Sequence, residues 1–109
     1  MNTKSDAQIL EDAAAIIECN GWYQGNLAGG AWTVAGGWYE AIEAGAPCCI
    51  LGAINVAAGE GVFMDPWPLG EFVTGNPSPG VWNDAPGRTK EEVLTALRDA
   101  AQRAREVSA

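Results

Sequence analysis

Ala31-Trp32-Thr33-Val34-Ala35-Gly36-Gly37-Trp38-Tyr39-Glu40-Ala41-Ile42 is the stretch whose reading decides whether this chain carries any sheet. Ala31–Ala35 and Trp38–Ile42 are both β-compatible runs, and Gly36-Gly37 between them is a permitted two-residue hairpin turn. The preferred reading is therefore a hairpin, which makes the domain α+β. A short helix from Trp38 to Ala44 competes, because Glu40 and Glu43 fit a helical outer face.

Outward from this stretch the chain reads as helix. On the N-terminal side, Ser5 followed by Gln8 is a weak capping box. Ile9, Leu10, Ala13, Ala14, Ile16 and Ile17 then form an apolar stripe, with Glu11, Asp12 and Glu18 opposite. Asn20-Gly21 is a stop signal, so a helix is predicted over about 6–19. On the C-terminal side, Pro47 can open a helix. The run from Cys48 to Ala58 is apolar all round apart from Asn55, which marks a buried helix over about 47–58, packed between two amphipathic ones.

The third helix announces itself most clearly. Trp82-Asn83-Asp84-Ala85-Pro86-Gly87-Arg88-Thr89 is a polar turn, with Trp82 stapling the incoming chain to the core. Thr89 and Glu92 then make a capping box ahead of Val93 and Leu97. Ala100, Ala104 and Val107 continue the stripe, predicting a helix over about 90–106. Between the second and third helices, residues 59–80 read as a long loop rich in Gly and Pro. Val62-Phe63-Met64 is a possible short strand there, and embedded aromatics argue against disorder. The expectation is one α+β domain over 1–109: three helices, a hairpin or short strands, and a long aromatic loop.

Charge narrows the function. The chain has 14 acidic and 6 basic residues and no histidine. An acidic chain repels phosphate backbones, so nucleic acid is an unlikely partner. No Lys or Arg stands between Ser5 and Gly87. Without histidine, Ser-His-Asp and Cys-His catalysis are excluded. The acids Glu60, Asp65, Glu71 and Asp84 are scattered, which leaves a metal-dependent carboxylate enzyme as the alternative reading. No cofactor motif is present, and no cofactor is expected. Cys19, Cys48 and Cys49 are an odd set without a zinc spacing, read as buried free thiols in a reducing compartment. No signal peptide or membrane span is recognisable, so the expected location is the cytoplasm.

The aromatics carry what remains. Gly21-Trp22-Tyr23-Gln24-Gly25 places two aromatics and an amide between glycines. Trp22 and Trp82 could stack on a ligand or partner, with Gln24, Asn83, Asp84 and Arg88 supplying directional hydrogen bonds. Asn83-Asp84 is more often a turn former than a ligand contact. These six residues form the candidate binding surface.

The blocks Gly21-Trp22 with Gln24-Gly25, Cys49-Ile50-Leu51-Gly52-Ala53, and Trp82-Asn83-Asp84 through Thr89, Glu92-Val93 and Leu97 resemble a family of short proteins of unknown function from actinobacteria and their phages. The resemblance implies an accessory or host-interaction factor and no particular activity. The expected function is thus non-enzymatic binding. The partner would be a small planar molecule such as a nucleotide signal, or a host protein; a homodimer is a further possibility.

Overall fold

The structure, a computed structural model, describes residues 4–25, 28–29, 37–59 and 67–108. Six helices are found among them: α1 (Asp6–Asn20), α2 (Gly37–Glu43), α3 (Ile50–Ala58), α4 (Trp67–Thr74), α5 (Pro79–Asn83) and α6 (Lys90–Ser108). No strand occurs among the described residues. Among the described residues, extended pairing is confined to two isolated bridges, both made by Cys48, with Trp22 and with Ala28.

The expected α+β class is therefore wrong, and the fold is helical. The predicted second hairpin arm, Trp38–Ile42, is the core of α2. Ile42 is buried while Glu40 and Glu43 are exposed, the one-sided pattern of a helix lying on a core. The first arm, Ala31–Ala35, lies outside the described residues, as do Val62–Met64. The long loop over 59–80 is also corrected, since it holds α4 and the start of α5. Pro79 supplies the first turn of α5 with its preset φ.

The three predicted helices stand with adjusted ends. Ser5 caps α1, its hydroxyl accepting from the Gln8 amide at 3.1 Å. The reciprocal half of that box is absent, because the Gln8 side chain donates to Asp12 instead. The box on α6 is complete: the Thr89 amide donates to the Glu92 carboxylate at 2.9 Å, and the Glu92 amide to the Thr89 hydroxyl at 3.2 Å. The buried helix starts later than expected, at Ile50 with Cys49 as its cap. Pro47 and Cys48 are held extended instead. The Cys48 amide donates to the Gly21 carbonyl, the Tyr23 amide to the Cys48 carbonyl, and the Gly29 amide to the Pro47 carbonyl.

Helix α3 is buried along most of its length, and its one polar interior residue, Asn55, donates to the Leu51 carbonyl. It does not sit between the amphipathic helices, however. Helix α1 takes the middle place instead, packing on both α3 and α6. Small residues explain this: Ala7, Ala13 and Ala14 are buried beside Ile9, Leu10 and Ile17, widening the packed face of α1. On α6 the packed stripe runs through Val93, Leu94, Leu97, Ala100 and Ala101, while Val107 is 81% exposed. Ion pairs Glu18–Arg98 and Glu11–Arg105 cross the α1–α6 seam in antiparallel register.

Helix α4 reaches α6 through Arg103, whose guanidinium covers the Phe72 ring and donates to the Phe72 carbonyl. It reaches α5 through Gly70. A Cβ on Gly70 would stand 2.7 Å from Cγ of Pro79, a buried and rigid ring. Gly70→Ala should therefore destabilise the protein. Alanine gains roughly 1 kcal/mol of helix propensity, but overpacking costs about 1–3 kcal/mol. A lowered urea midpoint is expected, and a raised one would show that α4 and α5 yield at no cost.

Candidate functional site

The six residues singled out from sequence converge. Trp22 and Gln24 lie in the segment after α1. Trp82 and Asn83 end α5, Asp84 follows as its C-cap, and Arg88 lies in the link to α6. Their polar groups bond to one another and to nearby main chain.

Asn83 is the centre, and it is fully buried. Its position at the end of a short helix directs the side chain inward, where two other segments pass. Its Oδ1 accepts from Trp22 Nε1 at 2.7 Å and from the backbone amide of Ile50 at 3.0 Å. Its Nδ2 donates to the Tyr23 carbonyl at 3.1 Å and to Asp84 Oδ1 at 3.0 Å. The Ile50 amide is one of the orphan donors at the start of α3. One amide side chain thus joins the α1–α2 link, the start of α3 and the end of α5. A buried amide needs such saturation, because each polar group left unpaired costs about 1–3 kcal/mol.

The neighbours close the joint. Gln24 Nε2 donates to the carbonyls of Asn83 at 3.0 Å and Ala85 at 3.2 Å. Asp84 Oδ1 also accepts from the Gly25 amide at 3.0 Å. Gly25 has φ +102, a backbone state that side chains resist, so the residue type matters there. Arg88 Nε donates to the Trp82 carbonyl at 3.0 Å, and its guanidinium lies 4.0 Å from the centre of the Trp82 ring. Among the described residues, no buried side-chain nitrogen or oxygen lacks a partner.

Chemically, these side chains form a hydrogen-bonded joint between the α1–α2 link, α3 and α5. Of the expected turn pair, Asp84 stands exposed in the turn, while Asn83 closes α5 and is the most enclosed polar group of the set. Trp82 likewise belongs to α5. Gln24 and Asp84 are exposed, Trp82 and Arg88 half-buried, and Val81 beside them is 65% exposed. Among the described residues, no three of Cys, Asp and Glu converge as metal ligands. Glu60 and Asp65 lie outside the described residues.

The cysteines divide. Cys48 and Cys49 are buried, as expected, but Cys19 is exposed, on the side of α1 away from its packed stripe. Burial, aided by the neighbouring Cys49, pushes the Cys48 thiol up to about 12. Burial likewise raises Cys49, whose sulfur accepts from the Gly52 amide.

Sequence reasoning missed the partners that are backbone: the Ile50 amide, the Tyr23 carbonyl and the Gly25 amide. Only the glycine bracket around Trp22 and Gln24 hinted at them. It also missed Asn20, which donates to the carbonyls of Ile42 and Ala46 and so fastens the end of α2.

A family model described as "Family of unknown function (DUF6197)" matches residues 1–103. No curated protein and no solved structure gives a match. No helix among the described residues is long and apolar enough to cross a membrane.

Proposed function

The chain belongs to the DUF6197 family of unknown function, and from that premise we propose that it is a non-enzymatic binding protein with a protein partner. Its contact surface is the outer edge of the Asn83 joint: Gln24, Val81, Trp82, Asp84 and Arg88. The observation that carries this reading is the saturation of the joint behind that edge. A surface fixed by its own internal bonds loses little conformational freedom on binding.

Charge favours a protein over a nucleotide. Arg88 is the one cation at this edge. It is stacked on Trp82 and lies 3.7 Å from Glu92, so a phosphate would have to compete for it. Its guanidinium also covers a Trp82 face on which a planar ligand could stack. The formal net charge of −8 suits a partner with a basic contact patch. The resemblance of the three sequence blocks to proteins of actinobacteria and their phages supports a host-interaction role, such as counter-defence. Free thiols suit a reducing cytoplasm.

Two measurements test this together. Tagged protein should capture a salt-sensitive partner from actinobacterial lysate, and Val81→Lys should abolish capture while leaving the circular dichroism spectrum unchanged. Nucleotides and divalent metals should leave the melting midpoint unmoved. A ligand at about a hundred times its Kd would add roughly 2.7 kcal/mol, a rise of about ten degrees or more. Such a rise with a nucleotide would replace the protein partner by the small-molecule reading, and with a metal would restore the enzyme alternative.

A further inference from the structure

Asn20-Gly21 is the single Asn-Gly step in the sequence. That dipeptide is the most prone to deamidation, because glycine leaves the following amide nitrogen unhindered. In this fold both reacting groups are occupied. The Gly21 amide donates to the Ile17 carbonyl at 2.8 Å. The Asn20 side-chain Nδ2 donates to the Ile42 carbonyl at 2.9 Å and to the Ala46 carbonyl at 3.0 Å. Asn20 also holds helical backbone geometry as the last residue of α1, which keeps the Gly21 nitrogen away from its side-chain carbon.

We propose that Asn20 is a fold-gated modification site whose reaction releases α2 irreversibly. When the end of α1 opens, the Gly21 amide nitrogen gives up its proton and attacks Cγ of Asn20. A C–N bond forms, the side-chain nitrogen departs as ammonia, and a succinimide remains. Water then adds to one imide carbonyl and breaks one C–N bond, leaving aspartate or isoaspartate. Water is consumed and ammonia released, with no change of oxidation state.

The product cannot return to the same place. Nδ2 donates to two carbonyl oxygens, and a carboxylate has no hydrogen to give either of them. Its charge would also face the C-terminal end of α2, where the helix dipole is negative. Isoaspartate adds a further mismatch by lengthening the main chain. Helix α2, anchored by Ile42 and packed on α3, then loses its tie to the end of α1. The Asn83 joint begins two residues later at Trp22, so the loss lies next to it in sequence.

The test uses the intact chain. Wild-type protein is aged in mildly alkaline buffer, with and without denaturing urea, and mapped by peptide mass. Asn20 should convert about ten-fold or more slowly in the folded protein, since only opened molecules react. Equal rates would overturn the gate. In parallel, Asn20→Asp should lower the melting midpoint by about 5–10 °C, and by more than Asn20→Ala, which removes the donors without adding a charge. An Asn20→Asp midpoint equal to or above that of Asn20→Ala would overturn the irreversible release. Should Asn20→Asp fail to fold while Asn20→Ala folds, the same conclusion holds more strongly.

Discussion

Asn83→Ala should cost about 3–5 kcal/mol and leave the protein unfolded or barely folded at room temperature. The truncation strips the partner from the buried Ile50 amide, from Trp22 Nε1 and from the Tyr23 carbonyl in one step. It also leaves a void the size of an amide in a fully enclosed site. Urea denaturation followed by tryptophan fluorescence reads the loss directly, because Trp22 is both partner and reporter. Asn83→Asp sharpens the result. It keeps the acceptor for Trp22 and Ile50 but turns the donor half into an oxygen facing Tyr23 and Asp84. It should be nearly as damaging, showing that donor and acceptor are both required. A stable Asn83→Ala protein that loses only partner capture would reverse the assignment and make Asn83 a contact residue.

The second large effect is alkaline. The Cys48 thiol titrates near 9.0 in an exposed chain and about 12 in the fold, because its site is apolar and closed. Below the lower value both states keep the proton and the thiol adds no pH dependence. Between the two, the unfolded chain sheds its proton while the folded chain retains it, so stability falls as pH rises. The full decline amounts to about 4 kcal/mol across the window. Cys48→Ala should make the decline shallower in a series of denaturation curves at increasing pH, with buried Cys49 carrying the remainder. The thiols should also separate by reactivity: Ellman's reagent should titrate Cys19 at once, and Cys48 and Cys49 only in denaturant. Rapid reaction of all three in buffer would contradict the closed site.

Much of this molecule can be read from residues alone, where local chemistry and tertiary need agree. Helix α6 is the clearest case: Thr89 and Glu92 fix its start, and Val93, Leu97 and Ala100 fix its buried side. Helix α1 follows from the same periodicity, and the burial of α3 from its being apolar all round. The failure at Trp38–Ile42 has a definite cause. Trp, Tyr and Ile prefer strands only in so far as a pleated neighbour is there to receive them. Here Ile42 is received by the helical core instead. Helix α4 was hidden for a related reason, since Gly70 and Pro68 are poor helix formers and Gly70 is present because Pro79 must approach. The candidate residues lie together in the fold, but their bonding was not foreseeable. A sequence shows that Trp22, Gln24 and Asn83 own donors and acceptors. It does not show that the groups across from them are the main chain of Tyr23 and Ile50.

The α1–α6 seam has a kinetic side. Arg98 and Glu18, which meet across it, are 80 residues apart in sequence. Helical proteins usually fold fast because their contacts are local. In this chain a principal interface joins segments separated by most of the polypeptide, so a large loop must close before that interface forms. The refolding rate should therefore resemble that of a mixed domain more than that of a simple bundle. During synthesis, α1 must wait with part of its packed surface uncovered until the ribosome has released α6. Over that interval it is exposed to chaperones and to neighbouring nascent chains.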